Sequence, residues 1–430
     1  MNESRRRFLA GTVAGLVSLS LGRWSALAST ADLPALRRGR TWLADEKVTL
    51  PPWTYGDTSS STETMLMFRG NPRHTFYGTG PLPKTLSVLW KHRMEDYVTT
   101  LRGNPKVWTG TGWTGQASHL HGYVYVGSQD RHLYCFRALD GKVMWRHRGG
   151  SMFKGSLCVY RNRIYAPNVD DRLHCLDAVT GASLWTLNTG KDLDSSPCVV
   201  GDRLYIAGEC GFVRCVDPET GKEHWKTEVG GTGPHTLPGS NGAEGSVAVD
   251  GGQVFVGNFD GEFTCLDQHT GKRIWKFMTG DDTDVSPVLD DEVVYVAAEE
   301  GAPHLYAIGR KDGKERWRFS NRGGWFSTPA LVGERLFIGG NDGVFYCLDR
   351  NSGKAIWQVK LEAATWCSPA VVDGRVLFGT YGNHLYVLSA EDGAEVQRLD
   401  LGGRIHSAPI VVDGRVYVGT GAGTFYCLGA

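Results

Sequence analysis

The sequence predicts an all-β fold, an eight-bladed propeller of four-stranded antiparallel blades, and three observations carry that prediction. A turn-and-strand pattern recurs with Trp at 145, 185, 225, 275, 317 and 357, and with Val396 in the last copy, at steps of 40, 40, 50, 42, 40 and 39. A fixed period of this length marks a repeat array. Each period holds four short runs rich in β-branched and aromatic residues, separated by Gly-containing turns. No stretch is left for a crossover helix, so the strands form an antiparallel meander. The ends of the array are complementary: the last unit stops after three strands at Tyr426-Cys427-Leu428, and the chain enters the array with a lone strand around Trp90. A ring closed by that N-terminal strand, which completes the last blade, satisfies all three.

Taken in order, residues 1–28 read as an export leader. Arg5-Arg6-Arg7-Phe8-Leu9 precedes an apolar stretch from Gly11 to Leu21 that is too short to span a bilayer, and Ala26-Leu27-Ala28 offers a cleavage site. The paired arginines resemble the twin-arginine signal, which is a receptor-read address and no anchor. The expected location is the periplasm or the extracellular space, with no transmembrane anchor in the mature chain. Residues 29–85 are a linker followed by a lead-in, Met65-Leu66-Met67-Phe68-Arg69-Gly70-Asn71-Pro72-Arg73, and residues 86–430 are the propeller.

A complete repeat shows why each element forms. Ser368-Pro369-Ala370-Val371-Val372 is a short apolar strand, and Asp373-Gly374 supplies a two-residue hairpin turn. Arg375 to Gly379 and His384 to Leu388 are the next two strands, and Glu391-Asp392-Gly393 turns into the fourth. Fifty-seven glycines in 430 residues suit a chain with several tight turns per blade. Lys plus Arg equals Asp plus Glu at 46 each, and without the leader the body carries 42 basic and 45 acidic side chains. That balance disfavours nucleic acid as a partner.

The Val216-Asp217-Pro218-Glu219-Thr220-Gly221-Lys222-Glu223-His224-Trp225 pattern resembles the quinoprotein-type (PQQ-like) propeller repeat, over residues 86 to 428. That class includes bacterial outer-membrane assembly scaffolds and quinone-dependent dehydrogenases. The resemblance implies the fold, and it implies a lead-in lying across the blades. The repeat itself mostly encodes blade packing.

Of the ten cysteines, Cys135, Cys175, Cys215, Cys265, Cys347 and Cys427 share a third-strand position with Ala307 and Val387, the mark of a small buried site. Cys158 and Cys198, on adjacent first strands, are the one candidate disulfide pair. There is no C-x-x-C and no Cys/His cluster with zinc spacing.

Function is expected where repeats differ. Just before each first strand stand Thr114, Lys154, Asp194, Glu244, Asp284, Phe326, Trp366 and His406, a column that should ring one mouth of the channel. Asp194, Glu244 and Asp284, with Asp192, Asp281 and Asp282 nearby, form an acidic side suited to a hard cation such as Ca2+ or to a basic segment of a partner. Trp325, Phe326 and Trp366 are expected opposite. The bland alternative is a hydrated mouth whose charges pair with Lys154 and His406. Two insertions reach the same face: residues 94–118 with Arg102, Trp108 and Trp113, and residues 231–243 with His235.

Two functions follow. One is an exported binding or scaffold module that holds an envelope protein, a peptide or a co-exported enzyme at the mouth. The other is a small quinoprotein-like oxidoreductase that uses PQQ and Ca2+, with Trp366 or Trp325 stacking on the quinone. The resemblance implies adjacent cysteines over the quinone in such enzymes. None are adjacent here, so no catalytic residue is assigned. Trp113, Lys154, Asp194, Glu244, Asp284, Trp325, Trp366 and His406 are the candidate ligand-binding residues.

Overall fold

The repeated Asp-x-x-Thr-Gly turn is a hydrogen-bonded device. In the computed structural model, which describes residues 47–51, 64–101, 103–111, 115–230 and 242–430, Asp177 Oδ1 accepts bonds from the Val179 and Thr180 N–H groups and from the Thr180 hydroxyl. Gly181 follows at φ +70°, and a Cβ there would lie 2.6 Å from the Trp145 ring of the preceding blade. Trp145 Nε1 donates to Ala178 O of the same turn at 3.2 Å. Turn and Trp thus form one joint: the ring packs where only Gly fits, and the indole N–H satisfies a turn carbonyl. Trp317 repeats the joint on Gly353 and Arg350 O, at 2.9 Å.

Seven four-stranded meanders follow one another, with their first strands at Ser118–Leu120, Cys158–Tyr160, Cys198–Val200, Ala248–Asp250, Val288–Leu289, Ala330–Val332 and Ala370–Val372. These are blades 1 to 7. Blade 8 has Ile410–Val412, Arg415–Gly419 and Thr424–Gly429, and its fourth strand comes from the other end of the chain. Two N-terminal strands precede the blades, β1 (Thr64–Met65) and β2 (Ser87–Arg93). The latter pairs with Thr424–Gly429, with Trp90 opposite Cys427, and closes the eight-bladed ring. β3 (Tyr97–Leu101) and β4 (Asn104–Trp108) form a separate hairpin within the first insertion.

One repeat position differs from its sequence alignment. Val387 pairs with Gln397, and a register shift separates that pair from Leu388 and Glu395. Gln397, and not Val396, therefore stands where the other blades have Trp, and Val396 points outward at 48% exposure. Blade 8 has no turn before its fourth strand for an indole to cover. The Gln397 amide instead exchanges two 2.9 Å bonds with the backbone of Leu86, which leads into β2.

The third-strand cysteines are fully buried and pair in register with the Trp column, as Cys175 does with Trp185. All ten cysteines are free, so Cys158 and Cys198 do not form the candidate disulfide. Burial pushes the thiols of Cys158 and Cys367 up to about 12, which keeps both protonated.

The lead-in does cross the blades, and it does so on the axis. β1 pairs with the first strand of blade 1. Leu66 O, Pro72 O and Arg73 O then accept from the N–H groups of Val159, Val249 and Leu289, and Thr79 donates to Val411 O. Tyr77 OH bonds the backbone of Leu331. These partners are the same middle position of the innermost strand in different blades. Among the described residues no helix is long and apolar enough to cross a membrane.

Candidate functional site

A relay of hydroxyls links blades 1 to 7 just before their innermost strands. The backbone N–H of Gln116 donates to Ser156 Oγ, that of Ser156 to Ser196, Ser196 to Ser246, Ser246 to Ser286, Ser286 to Thr328 and Thr328 to Ser368, at 2.9 to 3.2 Å. Each side chain satisfies a buried N–H of the preceding blade. Two residues earlier in each blade lies the variable column, and in blades 1 to 7 this relay fixes its spacing. The column marks the upper mouth, opposite the face that carries the hairpin turns after the first strands.

A second variable column shares that mouth. The hairpin between strands two and three of each blade bends toward it, because its second residue donates N–H to the carbonyl two residues before the first column. Glu209 bonds Asp192 O, Glu299 bonds Asp282 O and Tyr381 bonds Ala364 O. These three side chains at the mouth are missed by the sequence-predicted column. Glu299, in a hairpin tip of ordinary polar turn composition, is fully buried. The available signal was sharp variation at this turn position: Val169, Glu209, Phe259, Glu299, Asn341, Tyr381.

The acidic side is split in two. Carboxylate oxygens of Asp194, Glu209 and Glu244 lie within 4.8 Å of one another, as do those of Asp282, Asp284 and Glu299. Asp194, Glu244 and Asp284 are thus not one ligand set; Asp284 belongs to the second cluster. Lys154 Nζ donates to Asp194 Oδ2 at 2.7 Å. Burial disfavours the Lys154 charge, but Asp194 and Glu244 outweigh it and the ammonium is held more firmly than usual. Burial, then Glu244 and Asp194, push the Glu209 carboxyl up to about 9. Burial and Asp194 raise Asp192 to about 6. At neutral pH Glu209 therefore holds a proton.

The opposite side is aromatic. Phe326 and Trp366 stack at 4.2 Å, Trp366 meets Tyr381 edge-on at 4.9 Å, and Tyr381 and His406 lie 4.7 Å apart. Arg404 lies over Tyr381 at 5.3 Å. Burial and the nearby Arg404 lower His406 to about 4, so it is neutral. Trp325, expected at the mouth, is instead wholly buried between blades, 5.6 Å from the Tyr346 ring and 6.2 Å from Phe319. One residue along an extended strand reverses the side-chain direction, and the same position holds buried Phe153, Leu193 and Ile405 elsewhere. Trp113, Thr114, Arg102, His235 and the leader lie outside the described residues.

The donor chemistry can be tested against the groups that the resemblance implies. Clustered carboxylates suit a hard divalent cation. A quinone bearing carboxylates is a poor match: it would meet acids on one side, and Phe326 already covers a face of Trp366. The Arg69 guanidinium beneath the mouth donates to the carbonyls of Thr328, Pro329 and Pro369.

No curated protein matches the chain. Among solved structures, BamB from Moraxella catarrhalis is 17% identical with a TM-score of 0.64, covering 80% of this chain and 100% of that one. Quinohemoprotein alcohol dehydrogenase from Comamonas testosteroni is 15% identical at TM-score 0.70, covering 86% and 81%. A europium-containing methanol dehydrogenase is 14% identical at 0.70, covering 87% and 99%. At such identities the likeness carries the fold alone. A family model described as outer membrane protein assembly factor BamB matches residues 83–319, 264–363 and 341–429, nearly the whole propeller, and the chain belongs to that family.

Proposed function

We propose that this propeller is an exported binding module that holds a basic segment of a partner protein in its upper mouth. The observation that carries the reading is the division of the mouth into two carboxylate clusters on blades 3 to 5, each with at least one buried member, and an aromatic shelf on blades 6 to 8. A Lys or Arg side chain would gain from both halves: carboxyl oxygens for its charged head, and ring faces for its stem and cationic head. The axial lead-in fills the lower channel, so a segment would enter from above, by a loop tip or an end. Family membership supports an assembly role, and the twin-arginine leader supports an envelope location.

Titration of the purified full chain with a fluorescent Lys/Arg-rich peptide, at low and raised salt, tests the reading. Binding is expected to weaken with salt and to fall at least tenfold in Glu244→Gln/Asp284→Asn. A wild type that prefers an acidic peptide, or a variant that binds as tightly as wild type, would overturn it. For the envelope location, Arg5→Lys/Arg6→Lys should leave the chain inside the cell.

A further inference from the structure

We propose that residues 64–83 act as an axial strap, which holds the innermost strands in place and seals the lower channel as a unit separable from the blade cores. The inference stands apart from the binding role of the upper mouth. Seven of the eight blades touch this segment through their innermost strands or the residues leading into them. Twenty residues reach blades on all sides of a ring only from the axis.

The strap has the character of a ligand bound in cis. Met65 to Phe68 are buried, and Arg69 is 2% exposed. The Arg69 guanidinium donates to carbonyls of blades 6 and 7, and its backbone N–H donates to Gln116 Oε1 at 3.1 Å. His74 Nδ1 bonds Pro287 O at 2.7 Å. At Gly78, φ is +125° and a Cβ would lie 1.9 Å from Val411 O, so the strap is fitted to the wall at a point where no side chain is admitted. Arg375 pins the far end through Leu82 O and Pro83 O.

The innermost strands are only two or three residues long. Their middle N–H and C=O groups meet the strap, whereas the third and fourth strands pair within their own blades. Loosening the strap therefore leaves buried backbone groups on the innermost strands without partners, and leaves the blade cores intact.

The cysteines report on both regions. Cys158 adjoins the Val159 held by Leu66, and Cys367 lies two residues before Pro369, whose carbonyl accepts from Arg69. Cys135, Cys175, Cys347 and Cys427 sit in blade cores. Alkylation of the folded full chain, followed by peptide mass spectrometry, gives a rate for each thiol. Arg69→Met removes the charged donor, and Cys158 and Cys367 should react about ten- to a hundredfold faster while the core thiols keep their rates. Should Arg69→Met fail to fold, the milder His74→Gln is measured the same way, with a smaller acceleration of the same two thiols expected. Wild-type rates at Cys158 and Cys367, or a common acceleration of inner and core thiols, would overturn the proposal.

Discussion

Replacing Lys154 by Met should expose the electrostatic cost of the upper mouth. The ammonium lies 2.7 Å from Asp194, with side chains 18% and 4% exposed. Removing one partner of a buried pair costs about 3–5 kcal/mol, because the other charge is left uncompensated. Relief comes from proton uptake, to which this site is already inclined: Asp192 stands at about 6 and Glu209 at about 9. Without Lys154 these carboxyls move further up. A carboxyl with a raised folded pKa keeps a proton that the unfolded chain has lost. Its contribution is neutral below the unfolded value near 4, and stability then falls with rising pH until the folded value is passed. The deficit of the variant is therefore expected to be small near about pH 5 and largest near about pH 9. Urea unfolding followed by Trp fluorescence at about pH 5, 7 and 9 reads it directly. Lys154→Met/Asp194→Asn removes both charges and should recover more than half of the loss at neutral pH. A loss independent of pH, or a double variant no more stable than the single, would refute the reasoning.

Other consequences are open to similar measurement. Trp317→Phe keeps a ring on Gly353 but deletes the indole bond to Arg350 O, so a loss of about 1 kcal/mol is expected in urea unfolding. Trp325→Ala should cost about 3–5 kcal/mol without changing affinity for a basic peptide, whereas Trp366→Ala should weaken that affinity. His74 and His406 are both lowered to about 4, chiefly by burial. The unfolded chain takes up these protons first, so the stability present above about 6.5 should be lost as pH falls toward 4, by about 2 kcal/mol per histidine at pH 5. His74→Gln/His406→Gln should flatten that acid limb in thermal melts.

The ring was legible because its joint is written locally. The turn Asp, the Gly and the Trp recur at fixed spacing, and each has a steric or hydrogen-bonding reason to stay. Gln397 escaped notice because a one-residue shift between strands three and four is invisible in a plain alignment, where Val396 falls into the Trp place. At the mouth, Lys154, Asp194, Glu244, Asp284, Trp366 and His406 follow from their place before the first strand. Trp325 does not belong with them, since alternate residues of an extended segment face opposite ways. Glu209, Glu299 and Tyr381 were obscured by turn chemistry, which accounts for a polar or aromatic hairpin tip without any further role. The course of the lead-in is illegible for a different reason: it is fixed by backbone groups hundreds of residues away, which carry no side-chain signature.

Gln397 gives the ring a seam. Seven of its joints are interchangeable Trp-on-Gly contacts, and the eighth is an amide gripping the entry to β2. A blade duplicated or deleted at any of the seven would present its neighbours with the surface they already accept. At the seam the same change would set an indole against Leu86 or an amide against a turn glycine. Growth and shrinkage of such a ring are thus permitted everywhere but at the point where the chain's two ends meet, and that point fixes which blade is first.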